Sequence, residues 1–287
     1  MTYLILSILL STLLFVIFKL FDKYNIDILQ AIVVNYVIAC ICGLLSYSES
    51  IVIQVVVTKP WFIGSILLGF LFIFIFNVMA ITAQKNGLSV ASVAGKMSVI
   101  IPIVFAVIVY HEKISFIKTI GILMAMLAVY LVSVKKEGIS INKKSLIYPI
   151  LLFLGSGAID TSIKYFETKH VGENEISLFS ASIFGFAAII GCLILLFKLF
   201  NRTLKITGRN ILGGICLGVF NYYSIYFLLK ALRSDSLNSS TVFTINNVAI
   251  VMLTTLVGIL LFKEKLILKN WIGIGIAIIS IILVAFS

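Results

Sequence analysis

The chain has 287 residues, of which 61% are apolar and only 11% are charged. Soluble domains carry about 25% charged residues, so this composition excludes an ordinary water-soluble protein. Lysine and arginine number 22 against 11 aspartates and glutamates, a balance that in a soluble protein would suggest nucleic acid as the partner. Here the basic residues lie mainly in short connections between apolar runs. They indicate membrane topology and lipid headgroup contacts, and no nucleic-acid partner is expected.

Ten apolar segments account for most of the chain. A membrane-spanning helix needs about 20 apolar residues, and these runs are far longer than the about 9 to 11 residues of a membrane strand. The sequence therefore predicts an all-α membrane protein with ten transmembrane helices. The predicted segments are 2–21, 27–47, 61–84, 87–110, 115–134, 146–166, 176–199, 210–231, 237–262 and 270–286. The first lacks the basic start and small-residue cleavage site of a secretory signal, so we expect it to remain as a helix.

The cysteines and histidines do not form a ligand pattern. All four cysteines lie inside apolar runs, with no ligand-like spacing to the two histidines. We therefore expect no disulfide, no metal site and no cofactor. These residues are Cys40, Cys42, Cys192, Cys216, His111 and His170.

The segments divide five and five around the polar connection 136–145, which suggests an internal repeat of 1–135 and 146–287. Residues 111–135 match residues 263–287 at eight positions, 152 residues apart. Upstream, Leu68-Gly69 matches Leu217-Gly218 at an offset of 149. Because each repeat has an odd number of spans, the two halves are predicted to have opposite orientations in the membrane. The basic residues of the connections favour both termini outside.

The strongest repeated motif is a glutamate followed by Ile-Gly-Ile, at Glu112 and 120–122 and again at Glu264 and 272–274. Together with ten spans in two halves, it resembles the EamA family of the drug/metabolite transporter superfamily over the whole chain. The resemblance implies a transporter with a central cavity lined by helices 3, 4, 8 and 9 and by helices 1, 2, 6 and 7. The glycine that often precedes the glutamate is absent, which weakens assignment to a subfamily.

Lys96 is a cation about ten residues into the fourth segment. Charged side chains inside a span usually face a cavity or a partner, and Ser92 lies on the same helix face as Lys96. We interpret both as substrate-binding residues, with Lys96 attracting an anionic group such as a carboxylate. The alternative is that the lysine extends its ammonium towards the membrane interface.

Asp160 and Lys164 lie four residues apart in the sixth segment and so share one helix face. They are either a structural charge pair or a site for substrate or proton. Asp160 is the acidic residue placed well inside an apolar run, so it is our candidate for the coupling site if transport is proton-driven.

Amides and tyrosines supply the other candidate substrate-binding residues. In membranes such side chains often only join neighbouring helices, and the tyrosines can equally pack against other helices. Their concentration in segments that the resemblance places at the cavity favours a role in binding. These residues are Asn77, Asn221, Tyr222, Tyr226, Asn246 and Asn247. We interpret Glu112 and Glu264 as structural residues, with a role in gating as the alternative. Gly214 and Gly218 are spaced four residues apart and are predicted to allow a close contact between helices.

The most specific function that these observations favour is secondary transport of a small metabolite, an amino acid or small organic anion, by alternating access through a cavity between the repeats. Sugars, drugs and lipid-linked compounds remain alternatives. A channel is disfavoured because no filter motif is seen, an intramembrane enzyme because no catalytic constellation is seen, and ATP-driven transport because no phosphate-binding loop is seen. We expect a multi-pass protein of the bacterial inner membrane, in the lipid bilayer as a monomer or homodimer.

Overall fold

A computed structural model describes residues 2–47, 53–102, 104–105, 115–133, 143–172, 175–201, 206–232 and 239–285. The regular structure within these ranges is helical. Its helices are α1 (Thr2–Lys23), α2 (Ile28–Leu45), α3 (Ile53–Val57), α4 (Phe62–Lys85), α5 (Leu88–Met97), α6 (Phe116–Ser133), α7 (Lys143–Lys169), α8 (Ile176–Phe200), α9 (Gly208–Leu232), α10 (Ser239–Phe262) and α11 (Leu268–Ala285). Glu112 and most of the predicted connection 136–145 lie outside the described residues.

Seven of the described helices are long and apolar enough to cross a membrane, namely α1, α2, α4 and α7 to α10. Three shorter apolar stretches lie at Leu88–Pro102, Thr119–Val132 and Leu268–Leu283. Many large apolar side chains on these helices are exposed in the protein itself, as expected of surfaces that face lipid rather than water. The prediction of an all-α multi-pass membrane protein is confirmed.

The predicted fourth segment, 87–110, contains a local irregularity in its described part. α5 ends at Met97, residues 98–99 form a turn, and helical backbone resumes at Ile100. Because Pro102 has no backbone N–H, the carbonyl four residues before it loses its usual helical donor. The regular helical hydrogen-bonding pattern is therefore interrupted at residues 98–99, within an apolar helical stretch that runs from Leu88 to Pro102. The short helix α3 is absent from the sequence prediction.

The chain packs as two units, each with residues from both halves of the sequence. Unit 1 comprises Met1–Leu20, Val78–Ala158 and Tyr223–Ser287, and unit 2 comprises Phe21–Asn77 and Ile159–Tyr222. The units are thus distinct from the two sequence repeats, whose boundaries stay a prediction.

In unit 1, α6 packs along α11, and α5 contacts α6, α10 and α11. Both Ile-Gly-Ile motifs lie in the contact between α6 and α11. A Cβ on Gly273 would come within 2.7 Å of Val132, and the Ser280 hydroxyl donates to the Gly121 carbonyl at 2.7 Å. Gly273 therefore permits close approach of the two helices.

In unit 2, α2 packs along α8 around a cluster of aromatic rings. Tyr36 is fully buried, its ring meets those of Phe72, Phe76 and Phe184, and its hydroxyl donates to the Phe72 carbonyl at 2.7 Å. A buried tyrosine therefore keeps its polar end satisfied while its ring fills the core.

Two glycines of α9 lie directly against α2. A Cβ on Gly214 would come within 2.6 Å of the Ala31 carbonyl, and one on Gly218 within 2.8 Å of the Asn35 carbonyl. The predicted close contact at this glycine pair is confirmed.

Candidate functional site

Lys96 lies in the last turn of α5, immediately before the interruption, and is half-buried. The last carbonyls of a helix have no helical donor and carry partial negative charge. One of them is satisfied locally, because the Ser98 hydroxyl donates to the Gly95 carbonyl at 2.6 Å. Past the turn, the Ile101 N–H donates to the Ser98 carbonyl at 2.9 Å. The structure thus places Lys96 beside a helix end within an apolar segment, where a cation is favourable.

Ser92 joins α5 to α10. It is fully buried, and the Thr254 hydroxyl lies 2.7 Å from the Ser92 hydroxyl as well as 2.7 Å from the Ile250 carbonyl. The Ser92 hydroxyl donates in turn to the Ser89 carbonyl at 3.1 Å. In this state its hydroxyl is therefore engaged by the protein, and its role in substrate binding stays a prediction.

Asn246 and Asn247 are both buried on α10. The Ser7 hydroxyl of α1 lies 3.4 Å from Asn246 Oδ1 and donates to the Ser224 carbonyl of α9 at 2.9 Å. Ser7 thus connects three helices of unit 1 through one side chain. Sequence reasoning missed it, although Ser7 and Ser11 share a face of α1 at a spacing of four residues.

Tyr226 belongs to an aromatic cluster at the end of α9. The Lys230 ammonium lies 4.7 Å from the Tyr226 ring centroid and 5.3 Å from that of Tyr3, and the Tyr3 ring stacks on Phe227. Tyr226 is thus held by a cation of its own helix.

Glu264, in the connection after α10, caps the start of α5. Its Oε1 accepts from the Leu88 N–H at 2.7 Å, and its Oε2 lies 3.4 Å from the Ser89 hydroxyl. Gly87 has a φ of 108° and a Cβ on it would come within 2.9 Å of this carboxylate, so the glycine is required for both conformation and space. The carboxylate provides an acceptor for a backbone N–H that has no partner within the helix, and its negative charge interacts favourably with the positive end of the helix dipole.

The same carboxylate also faces Lys19 of α1, whose ammonium lies 3.9 Å from Glu264 Oε1. That ammonium also donates to the carbonyls of Ala83 and Gln84, at 3.1 and 3.0 Å, at the end of α4. Glu264 and Lys19 therefore tie α1, α4 and α10 to the beginning of the helix that carries Lys96. This geometry supports the structural interpretation of Glu264.

In unit 2, Asn221 of α9 is buried against α2. Its Nδ2 donates to Asn35 Oδ1 at 3.2 Å, while the Asn35 Nδ2 is buried without a hydrogen-bond partner. Asn35 was not among the predicted site residues. Its polar character inside an apolar run was the available signal.

The other candidates of unit 2 are less closely grouped. Asn77 is half-buried and its Nδ2 donates to the Ile73 carbonyl of its own helix at 2.7 Å. Tyr222 is buried, whereas Asp160 is exposed on α7. The side chain of Lys164 lies outside the described part of the protein, so the proposed pairing with Asp160 stays a prediction.

A second charged cluster joins the connection between α3 and α4 to the start of α8. Lys59 Nζ donates to Glu175 Oε1, and Trp61 Nε1 donates to Glu175 Oε2 at 3.0 Å. The hydrogen bonds from Lys59 and then Trp61 hold the pKa of the Glu175 carboxyl below its ordinary value. The buried Trp61 ring packs edge-on against Phe179, so this cluster fastens the beginning of α4 to α8.

The structure thus groups the predicted residues in two sets. Unit 1 contains Ser92, Lys96, Tyr226, Asn246 and Asn247, and unit 2 contains Asn77, Asp160, Lys164, Asn221 and Tyr222. Substrate binding by these residues stays a prediction.

Comparisons with known proteins identify the family. The chain is 30% identical over 282 residues to a protein of Haemophilus influenzae described as an uncharacterized protein, covering 94% of this chain and 93% of that one. A protein of known crystal structure is similar in fold, with a TM-score of 0.56 and 14% identity over 97% of this chain and 96% of that one. Residues 146–286 match the EamA-like transporter family. The chain belongs to this family of the drug/metabolite transporter superfamily.

Proposed function

We propose that the protein is a secondary transporter of a small amino acid or organic anion, with Lys96 as the group that attracts the substrate carboxylate. The observation that carries this proposal is the half-buried lysine at the interruption of the fourth span. Transporters commonly bind substrates where a membrane helix is broken, because the break frees backbone polar groups there. A cation at such a break favours an anionic group.

We further propose that the two halves are inverted repeats that expose the site to each side in turn. Gly69 and Gly218, 149 residues apart, have equivalent surroundings in unit 2. A Cβ on Gly69 would meet Ala187 and Phe186 of α8, and one on Gly218 would meet Ile38 of α2, each within 2.8 Å. Gly69 therefore brings α4, the third predicted span of the first half, against α8, the second predicted span of the second half. Gly218 brings α9, the third predicted span of the second half, against α2, the second of the first half.

A second pair of contacts supports the same relation. Trp61, the residue before α4, and Asn210, in the first turn of α9, are also 149 residues apart. Trp61 donates to Glu175, the residue before α8, and Asn210 Oδ1 accepts from the N–H of Asp27, the residue before α2. The start of α4 in the first half is thus fastened to the acidic residue before α8 in the second half. In the same way, the start of α9 in the second half is fastened to the acidic residue before α2 in the first half.

We assign the coupling site, if protons drive transport, to Asp160, because it is an acidic residue within an apolar run. We also propose the bacterial inner membrane as the location. The relative in Haemophilus influenzae supports a bacterial setting.

A thermal-shift screen of the purified protein tests the substrate class, because a ligand that binds the folded state raises its apparent melting temperature. The compounds are amino acids, organic acids and sugars. We expect stabilisation by carboxylates that is lost in Lys96→Met and retained in the control Lys265→Met, which removes an exposed lysine away from the candidate residues. Stabilisation by carboxylates that survives Lys96→Met removes Lys96 from the site. Stabilisation only by sugars or cations contradicts the proposed substrate class.

A further inference from the structure

The side-chain amide of Asn35 is buried in the core with its nitrogen unpaired, which is energetically unfavourable. The residue is fully buried, its oxygen accepts from Asn221 at 3.2 Å, and its Nδ2 has no hydrogen-bond partner. Most buried polar groups are paired, because a donor removed from water without a new acceptor costs free energy. An apolar residue at this position would avoid that cost, so the amide needs an explanation.

The neighbouring amide pair on the same two helices shows what a fully paired contact looks like. Asn210 Nδ2 donates to Gln30 Oε1 at 2.9 Å, and Asn210 Oδ1 accepts from the Asp27 N–H at 3.1 Å. Gln30 and Asn210 therefore use their polar atoms to join α2 to α9. Asn35 joins the same helices through its oxygen but keeps a spare donor.

The helices α2 and α9 approach closely beside Asn35, whose side chain is shielded from water. Gly218 lies against the Asn35 backbone and Gly214 against Ala31, where even a Cβ would come within 2.8 Å of a carbonyl oxygen. Asn35 accordingly has no exposed surface. Because its Nδ2 is buried, an acceptor from outside the protein can reach it only when the packing around Asn35 changes, as alternating access requires of some helix contacts.

We propose that Asn35 is a further substrate-recognition residue, whose Nδ2 donates a hydrogen bond to an acceptor oxygen of the transported amino acid or organic acid. This rests on the proposed transport function and adds to it a residue and a chemical requirement. Because the unpaired Nδ2 is a hydrogen-bond donor, it can bind an oxygen acceptor of the substrate but cannot form a hydrogen bond with an ammonium or an alkyl group. Asn221 holds the Asn35 oxygen and thereby fixes the direction of the amide.

Counterflow in proteoliposomes tests this proposal. The vesicles contain the full-length protein and an unlabelled mixture of the proteinogenic L-amino acids with lactate, succinate and malate, and the same mixture, isotope-labelled, is added outside. Mass spectrometry identifies which species exchange. The variants are Asn35→Ala, the conservative Asn35→Ser, and the matched control Gln30→Ala, which removes a paired amide from the same helix contact.

We expect Asn35→Ala to raise the KM of the exchanged species by about tenfold, which corresponds to one hydrogen bond to a charged acceptor. Its apparent melting temperature should fall less than that of Gln30→Ala, because the buried unpaired donor of Asn35 is removed at the same time as the acceptor of Asn221. Gln30→Ala should do the opposite, with an unchanged KM and a lower melting temperature. Asn35→Ser retains a hydroxyl donor and should restore part of the affinity.

The outcomes separate this inference from the proposed function. Exchange of none of these species by the wild type contradicts the proposed substrate class, whatever Asn35 does. Exchange by the wild type with an unaltered KM in Asn35→Ala overturns the role of Asn35, and so does a loss of stability as large as that of Gln30→Ala. If Asn35→Ala does not fold, Asn35→Leu, which has a similar size and no donor, is compared with the wild type, and equal KM values overturn the proposal in the same way.

Discussion

Replacement of Glu264 measures how strongly the connection after α10 holds the start of α5. The carboxylate accepts from the Leu88 N–H at 2.7 Å with its side chain only 11% exposed. Hydrogen bonds to a charged group contribute about 1.5 to 3 kcal/mol, and loss of a helix cap costs about 0.5 to 2 kcal/mol. The two figures describe the same contact, so we expect Glu264→Ala to cost about 2 kcal/mol.

The ion pair with Lys19 adds little to this figure. Its atoms are 3.9 Å apart, and the Lys19 ammonium also donates to the carbonyls of Ala83 and Gln84, so it keeps acceptors when Glu264 is removed. Pairs of this kind contribute about 0 to 1 kcal/mol. In Glu264→Gln the side-chain oxygen can still accept from Leu88, and we expect a cost of about 1 kcal/mol.

Thermal unfolding in detergent provides the measurement. For chains of about 150 to 250 residues, 1 kcal/mol shifts the melting temperature by about 2 to 4 °C, so we expect a decrease of about 4 to 8 °C for Glu264→Ala and about half of that for Glu264→Gln. Lys265→Ala, in the same connection but exposed, should stay within about 1 °C. Equal melting temperatures for the wild type and Glu264→Ala would show that the carboxylate does not hold α5, and the capping argument would fail.

Three further results are expected. Gly218→Ala forces a Cβ to 2.8 Å from a backbone carbonyl and should cost about 1 to 3 kcal/mol, whereas Gly275→Ala, with nothing within 4 Å, should be neutral or stabilising in the same melting assay. The hydrogen bond from Lys59 lowers the pKa of Glu175 in the folded protein. The ionised carboxylate therefore stabilises the fold at pH values above its unfolded-state pKa, and this stabilisation is lost as the pH falls through its lower folded-state pKa. Acidification across this window should therefore reduce the melting temperature of the wild type more than that of Glu175→Gln, and parallel curves would contradict this. Thr254→Val removes a hydrogen bond between α5 and α10 and should lower the melting temperature by a few degrees, while no change would show that this bond contributes nothing.

Sequence reasoning predicts the helices well because a membrane span is a local property of about 20 consecutive residues. The predicted segment 176–199 is Ile176–Phe200 in the structure, and 115–134 is Phe116–Ser133. The family resemblance is confirmed by the match over 146–286. These successes need only composition, length and a repeated motif.

What the sequence could not provide is the pairing between distant residues. Whether Asn35 is fully paired depends on Asn221, 186 residues away, and the role of Glu264 depends on the start of a helix 176 residues earlier. The interruption after Lys96 was missed for another reason. Pro102 was visible, but apolar runs do not record how the backbone hydrogen bonds rearrange around it.

The interruption after α5 also affects how the fourth span can bend. In an uninterrupted helix, a sharp bend must break several hydrogen bonds between residues four apart, and in lipid no water replaces them. At residues 98–99 that regular pattern has already been exchanged for a turn, with the Ser98 carbonyl bonded three residues ahead. Rotation about the backbone of these two residues therefore breaks fewer bonds than bending elsewhere in the span, which makes the residue after Met97 the natural hinge of this helix.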